Sequence, residues 1–238
     1  MMEHPVTWTG LLGITERWQF VATGGFVMAV LLLLGVRARQ ALTAEGALIP
    51  DAGLTPRNAF ELLVEGITGL CESVIGPNSS RYVPILATFF VYILVCNFLG
   101  LLPGFVPPTS DFDITFALGV CSFLVFNYYG LRVQGIGYIK HFAGPVWWLA
   151  WLIFTLEIIG VFVRPASLAL RLFGNLFGDH LVLEIFTGLT RIGVPVVFYL
   201  LGTLVSVIQA FVFTLLSMIY ISLAVHSGHD EEGHGGHH

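Results

Sequence analysis

The sequence predicts an all-α, polytopic membrane protein, and three observations carry that prediction. Hydrophobic residues fill 56% of the 238 positions and charged ones 11%, with a mean hydropathy of +0.86; a soluble domain holds about 25% charged residues. The apolar runs are long and unbroken, not short and alternating, which excludes a barrel and leaves helices to satisfy the backbone in lipid. Most charges collect between the runs, apart from a group centred on Arg164 and Arg171. The expected architecture is one bundle of about five membrane-embedded helices, with one amphipathic surface helix and a long tilted helical hairpin in the C-terminal half.

Taken in order, residues 1–17 are expected to form an external segment. They are not read as a cleavable signal, because Glu3 and Glu16 precede the first apolar run and no basic stretch leads it. The run 18–36 is long enough to span, and Arg37 and Arg39 follow at once, which places that end in the cytoplasm and the N-terminus outside. Residues 55–75 read differently. Thr55 can cap, Pro56 suits a first turn, and Phe60, Leu63, Val64, Ile67, Leu70, Cys71 and Val74 recur at three- and four-residue spacing. Glu61, Glu65 and Glu72 fall off that stripe, so this helix is expected to lie on the cytoplasmic membrane surface or to pack on other helices.

The next span is 82–102, and Pro103, Pro107 and Pro108 make an external loop before Asp111 and Asp113 mark the return. The span 114–131 ends at Arg132 on the cytoplasmic side. Arg37, Arg39, Arg57, Arg81, Arg132 and Lys140 then lie inside, against Arg17 and Arg191 outside. A mostly apolar stretch follows at 145–187, too long for an upright crossing. Forty residues of helix measure about 60 Å, twice the hydrocarbon thickness, so the segment must be tilted, bent or split near Pro165. A last span, 193–225, precedes a Gly/His/acid-rich cytoplasmic tail at 226–238 that is expected to be disordered.

Composition narrows the function. The net charge of −5 comes partly from the tail, and with one lysine and no basic patch no nucleic-acid partner is expected. Cys71, Cys96 and Cys121 lie far apart with no metal-ligand spacing and are read as packing residues; no metal and no cofactor is expected. Neither GxSxG, HExxH nor facing paired carboxylates are present, which argues against an enzyme. A self-contained ion channel or secondary transporter is the alternative; the two halves show no internal repeat to support it.

An arginine inside an apolar helix is expensive, about 2.5–3.5 kcal/mol by insertion and about 10–17 in simulation, and such residues mark ion pathways. Glu157, Arg164 and Arg171 are spaced by sevens and lie nearly on one helix face; Gly178 continues the spacing. Asn175 sits one turn beyond Arg171 and Ser167 one turn before it. Two readings stand for Arg164: an ion pair with Glu157, or a place on the polar face. Arg171 has no acid within a turn, so its partner must come from another helix or another subunit. His180 and Glu184 can touch across one turn, with Asp179 a second carboxylate beside them, a set that suits proton passage or simply a polar helix end. Gln209 stands alone in an apolar run, where a glutamine is ordinarily helix–helix glue.

The stretch SLALRLFGN at 167–175 resembles the signature of the a subunit of F-type ATP synthases. QAFVFTLL at 209–216 is similar to that family's last-helix motif, Asn97 with Leu101-Leu102-Pro103 to a third motif, and Pro108-Thr109-Ser110-Asp111 followed by Ile114-Thr115 to a fourth. The resemblance covers roughly residues 55–225. It implies a stationary, non-catalytic subunit beside a ring of c subunits, working with peripheral-stalk b subunits and the remaining synthase subunits in a bacterial inner membrane. It further implies two offset aqueous half-channels, with Arg171 as the electrostatic separator. Asn175 and Gln209 would position it or hydrate the path, Asp179, His180 and Glu184 would belong to the outer half-channel, and Glu157 with Ser167 would line the cytoplasmic side. Arg164 and Asn97 would support these residues. The sequence departs from the family at Gly202, where relatives often carry an acid or a histidine, at His180, where many carry glutamate, and at Gly100, which replaces an acid found in some members. Glu184 is the residue expected to supply the carboxylate absent at Gly202, an expectation that normal transport by Glu184→Gln would sink.

Overall fold

The computed structural model describes residues 15–42, 56–77, 79–102, 105–135, 150–189 and 193–226, and all regular elements among them are helical. Six α-helices run in order: α1 (Glu16–Leu42), α2 (Pro56–Ile75), α3 (Val83–Leu99), α4 (Phe112–Gln134), α5 (Ala150–Leu189) and α6 (Gly193–His226). Two short 3-10 segments, Ser79–Arg81 and Pro108–Ser110, lead into α3 and α4. The expected external segment 1–17, apart from its last residues, and nearly all of the tail 226–238 fall outside the described residues, as do residues 145–149 of the fourth expected span.

The runs Trp18–Arg37, Phe112–Gln134 and Val196–Val225 are long and apolar enough to cross a bilayer. Helix α3 is apolar but has 17 residues, the short end of what a span requires. Local chemistry sets the boundaries. Asp111 caps α4 by accepting a hydrogen bond from the backbone N–H of Asp113 at 2.8 Å, satisfying one of the orphan donors of a first turn. Helix α4 stops at Gly135 and α2 gives way to Gly76, both at positive φ, where only glycine is unstrained.

Helix α5 is continuous over 40 residues with Pro165 inside it, so the chain is not split there. Proline cannot donate to the carbonyl one turn back and ordinarily weakens a helix at that point. The Pro165 carbonyl oxygen instead lies against Gly119 of α4, so close that a Cβ at Gly119 would sit 2.7 Å from it. A residue without a side chain is therefore what lets α4 approach α5.

Two clusters form the interior. One joins Val27, Tyr92, Ile93 and Cys96 to Leu168, Leu172 and Phe213. The other sets Ile67, Cys71 and Ile75 of α2 against Tyr82, Phe126 and Met218. The amphipathic helix thus packs on other helices, as its stripe allowed, although Phe60 and Val64 of that stripe stay exposed. Apolar burial does little between helices in lipid, where packing and hydrogen bonds hold the bundle. Such bonds are present: Ser122 Oγ meets Ser217 Oγ at 2.8 Å, Gln134 Nε2 donates to the Ala224 carbonyl at 2.9 Å, and Ser222 Oγ donates to the Val74 carbonyl at 2.9 Å. Cys71 and Cys96 are buried packing residues as expected. Cys121 is not; it lies exposed on the outer side of α4, since its neighbours Gly119 and Ser122 are the ones turned inward.

Candidate functional site

Helices α5 and α6 touch along their length. Arg164 meets Tyr220, Asn175 meets Gln209, and Phe186 stacks on Phe198. Numbers rise along one helix as they fall along the other, so the two run in opposite directions. The face that α5 turns inward is apolar: Leu168, Ala169, Leu172 and Leu176 are buried. Leu170 and Gly174 stand on the opposite face, with Arg171 and Asn175 on the flank between, and all four are exposed.

Arg171 makes no hydrogen bond or ion pair among the described residues. One turn on, Asn175 Nδ2 donates to Gln209 Oε1 at 2.6 Å. Gln209 is 4% exposed, and its buried Nε2 has no acceptor among the described residues. An unpaired buried donor costs about 1–3 kcal/mol, so this N–H group is poised for water or a partner's acceptor. Ser167, one turn before Arg171, donates its hydroxyl to the Arg164 carbonyl at 3.2 Å.

Arg164 and Arg171 differ in setting. Arg164 is half-buried with its guanidinium 5.8 Å from the centre of the Tyr220 ring, a cation–π contact that holds it in the bundle. Arg171 is exposed. The two arginines stand seven residues apart on one continuous helix, about 20° from a common line, and differ in what their neighbours cover.

A second polar group lies toward the C-terminal end of α5. Asn97 of α3 is 1% exposed; Thr109 Oγ1 donates to its Oδ1 at 2.9 Å, and its Nδ2 reaches the Ser206 carbonyl at 3.4 Å. Asp179 is half-buried with Oδ2 fully enclosed. Glu157, His180 and Glu184 all stand on α5, and their side chains fall outside the described residues. Among the described residues no set of three His, Cys, Asp or Glu could hold a metal ion; the tail histidines from 229 onward lie outside them.

Thr109 and Ser206 were not singled out in the sequence. Ser206 sits three residues before Gln209, on the same side of α6, and that spacing is a signal that could have found it. Thr109 lies in the 108–115 motif, but nothing local names its partner, which is twelve residues away across a proline-rich turn.

Fold and seam together define a membrane-embedded, polytopic helical protein whose polar side chains gather between α3, α5 and α6. The family described as ATP synthase A chain matches residues 21–222. ATP synthase subunit a of Bdellovibrio bacteriovorus is 43% identical over 225 residues, covering 93% of this chain and 98% of that protein. ATP synthase subunit a 2 of Syntrophotalea carbinolica is 44% identical over 215 residues, 89% and 88% of the two chains. The Geobacter sulfurreducens subunit a is 43% identical over 209 residues, 88% of each. The chain belongs to the ATP synthase A chain family and is a non-catalytic membrane-sector subunit of an F-type ATP synthase.

Proposed function

We propose that this subunit is the stationary half of a rotary proton path, forming two offset half-channels beside a ring of c subunits and coupling proton flow to ring rotation and ATP synthesis. The observation that carries the reading is Arg171: exposed, unpartnered among the described residues, and flanked by the Asn175–Gln209 pair. A fixed positive charge on an outer helix face calls for a negative partner, and a passing ring carboxylate is one. Arginine stays protonated at all working pH and lowers the pKa of a nearby carboxyl, so it strips the proton from the arriving site and blocks direct leakage.

In this reading Asn175 and Gln209 position the guanidinium and hydrate its surroundings. Asp179, His180 and Glu184 belong to the outer half-channel, Glu157 and Ser167 line the cytoplasmic one, and Arg164 and Asn97 hold the helices in register. Helices α1, α3, α4, α5 and α6 are membrane-embedded, with α5 and α6 as a tilted hairpin and α2 on the cytoplasmic surface, all within one unit over 18–225. The N-terminal segment 1–17 lies outside and the tail 226–238 in the cytoplasm of a bacterial inner membrane. Peripheral-stalk b subunits and the remaining synthase subunits complete the complex.

Cross-linking tests the ring contact. Leu170, exposed beside Arg171, is replaced by cysteine and paired with a cysteine next to the ring carboxyl in the assembled complex. Oxidation is expected to join the two subunits; a Leu170→Cys thiol that never reaches the ring contradicts the reading.

A further inference from the structure

We propose that a cleft between α1, α2 and α3 holds one acyl chain of an anionic phospholipid, with the phosphate at the arginines around the cytoplasmic end of that cleft. The assignment rests on the cytoplasmic placement of α2 given above and is independent of the role of Arg171.

Helix α1 is seated on the bundle near its middle. Val27 is buried, and at Gly24 an added Cβ would meet the Tyr92 hydroxyl at 3.1 Å and Pro108 at 3.5 Å. Toward Arg37 that fit is lost. Leu32, Leu33 and Val36 are exposed, and a Cβ at Gly35 would meet nothing within 4 Å. On α2, Phe60 and Val64 are exposed as well. Between these two faces and α3 lies a cleft of about 370 Å³, inside the range of about 300–1,000 Å³ typical of small-molecule sites.

The walls select the body of the occupant. Leu31, Leu32 and Val36 of α1, Phe60 and Val64 of α2, and Val91 of α3 line the cleft. Thr88 is the one lining residue with a polar side chain, and its hydroxyl already donates to the Pro84 carbonyl at 2.7 Å. The cleft therefore offers apolar surface and no hydrogen bond, which suits a hydrocarbon chain and not a headgroup or a row of waters.

The rim selects the charge. The apolar run of α1 ends at Arg37, which is exposed. Arg39 stands four residues past Gly35 and seven past Leu32, the register of the cleft face. Arg57 stands one turn before Phe60, in the first turn of α2. Glu61 and Glu65 fall off the stripe to which Phe60 and Val64 belong. Arginines at a cytoplasmic membrane boundary attract anionic lipid, and a guanidinium pairs with phosphate through two parallel hydrogen bonds. A zwitterionic lipid would bring its own cation to the same arginines. An anionic phospholipid satisfies wall and rim together, whereas an apolar partner helix satisfies the wall alone.

The experiment uses the assembled complex in vesicles containing phosphatidylglycerol or phosphatidylcholine with a photoreactive diazirine in one acyl chain. After irradiation, adducts on this subunit are mapped by mass spectrometry. At equal mole fraction, phosphatidylglycerol is expected to label residues 28–36 and 60–64 about fivefold more than phosphatidylcholine, the factor for one arginine at the membrane surface. The double variant Arg39→Gln with Arg57→Gln should bring the two lipids close to parity. Gly35→Phe, whose ring has room to enter the cleft, should remove most labelling of the α2 wall. Equal labelling of the unaltered complex by the two lipids overturns the proposal, as does labelling unchanged in either variant. The absence of adducts on both walls, expected if a helix of another subunit fills the cleft, overturns it too. Labelling in Arg171→Ala should match the unaltered complex, so a failure of the rotary reading leaves this result standing.

Discussion

Asn175 donates its side-chain amide to Gln209 across 2.6 Å, joining the two long helices one turn from Arg171. The pair fixes the height at which α5 meets α6. It also leaves the Gln209 Nε2 donor buried without an acceptor among the described residues, one turn from the arginine.

Replacing either member is therefore expected to be coupled. In a cycle of Asn175→Leu, Gln209→Leu and the double variant, the interaction energy should be about 0.6 kcal/mol, the average for such bonds between membrane helices, and at most about 1.7. Reversible unfolding in mixed micelles reads it out. Additive losses would mean that the bond holds nothing in place.

Gly119 should not tolerate a methyl group. A Cβ would lie 2.7 Å from the Pro165 carbonyl oxygen, which belongs to a helix backbone and cannot swing aside. Gly119→Ala is expected to destabilise the purified subunit by about 1–3 kcal/mol, the usual cost of overpacking, visible as a lowered Tm in detergent. An unchanged Tm would show that α4 and α5 do not approach this closely.

Arg164 should depend on the ring of Tyr220 and not on its hydroxyl. Tyr220→Phe is expected to be nearly silent, whereas Tyr220→Leu should cost about 0.5–2 kcal/mol of stability through the lost cation–π contact. Equal effects of the two changes would place the contribution elsewhere.

Cys71 should resist alkylation. Burial, with the Glu72 carboxylate adding to it, pushes its thiol up to about 11 from an ordinary 9.0. The thiolate is the reactive form, and at pH 8 it is about a hundredfold scarcer than for an ordinary cysteine. A variant retaining only this cysteine is expected to label slowly with a water-soluble maleimide at pH 8 and faster as pH rises toward 11. Rapid labelling at pH 8 would mean that α2 is not seated on the bundle.

Apolar runs made the helices legible before any coordinates. The stretch 55–75 corresponds to α2 (Pro56–Ile75) and 193–225 to α6 (Gly193–His226), because turn residues and charges bound them on both sides. The length of α5 was readable for the same reason; its continuity through Pro165 was not, since an internal proline ordinarily kinks or ends a helix. Within the site, Arg171 stood out by cost alone, an arginine in an apolar run. Partnerships were harder. Hydropathy has no term for the bond between Thr109 and Asn97, and the sequence pointed to Glu184 for the carboxylate absent at Gly202, since spacing along α5 does not show which side chain turns toward α6. The fold puts Asp179 on a small cavity that Gly202 also lines, and the Glu184 side chain lies outside the described residues.

The central claim is that Arg171 couples proton flow to rotation, and ATP-driven proton pumping measured beside ATP hydrolysis on the same vesicles tests it most directly. With Arg171→Ala, pumping should disappear while the assembled complex still hydrolyses ATP. Pumping at the normal rate would make Arg171 a structural residue and contradict the mechanism.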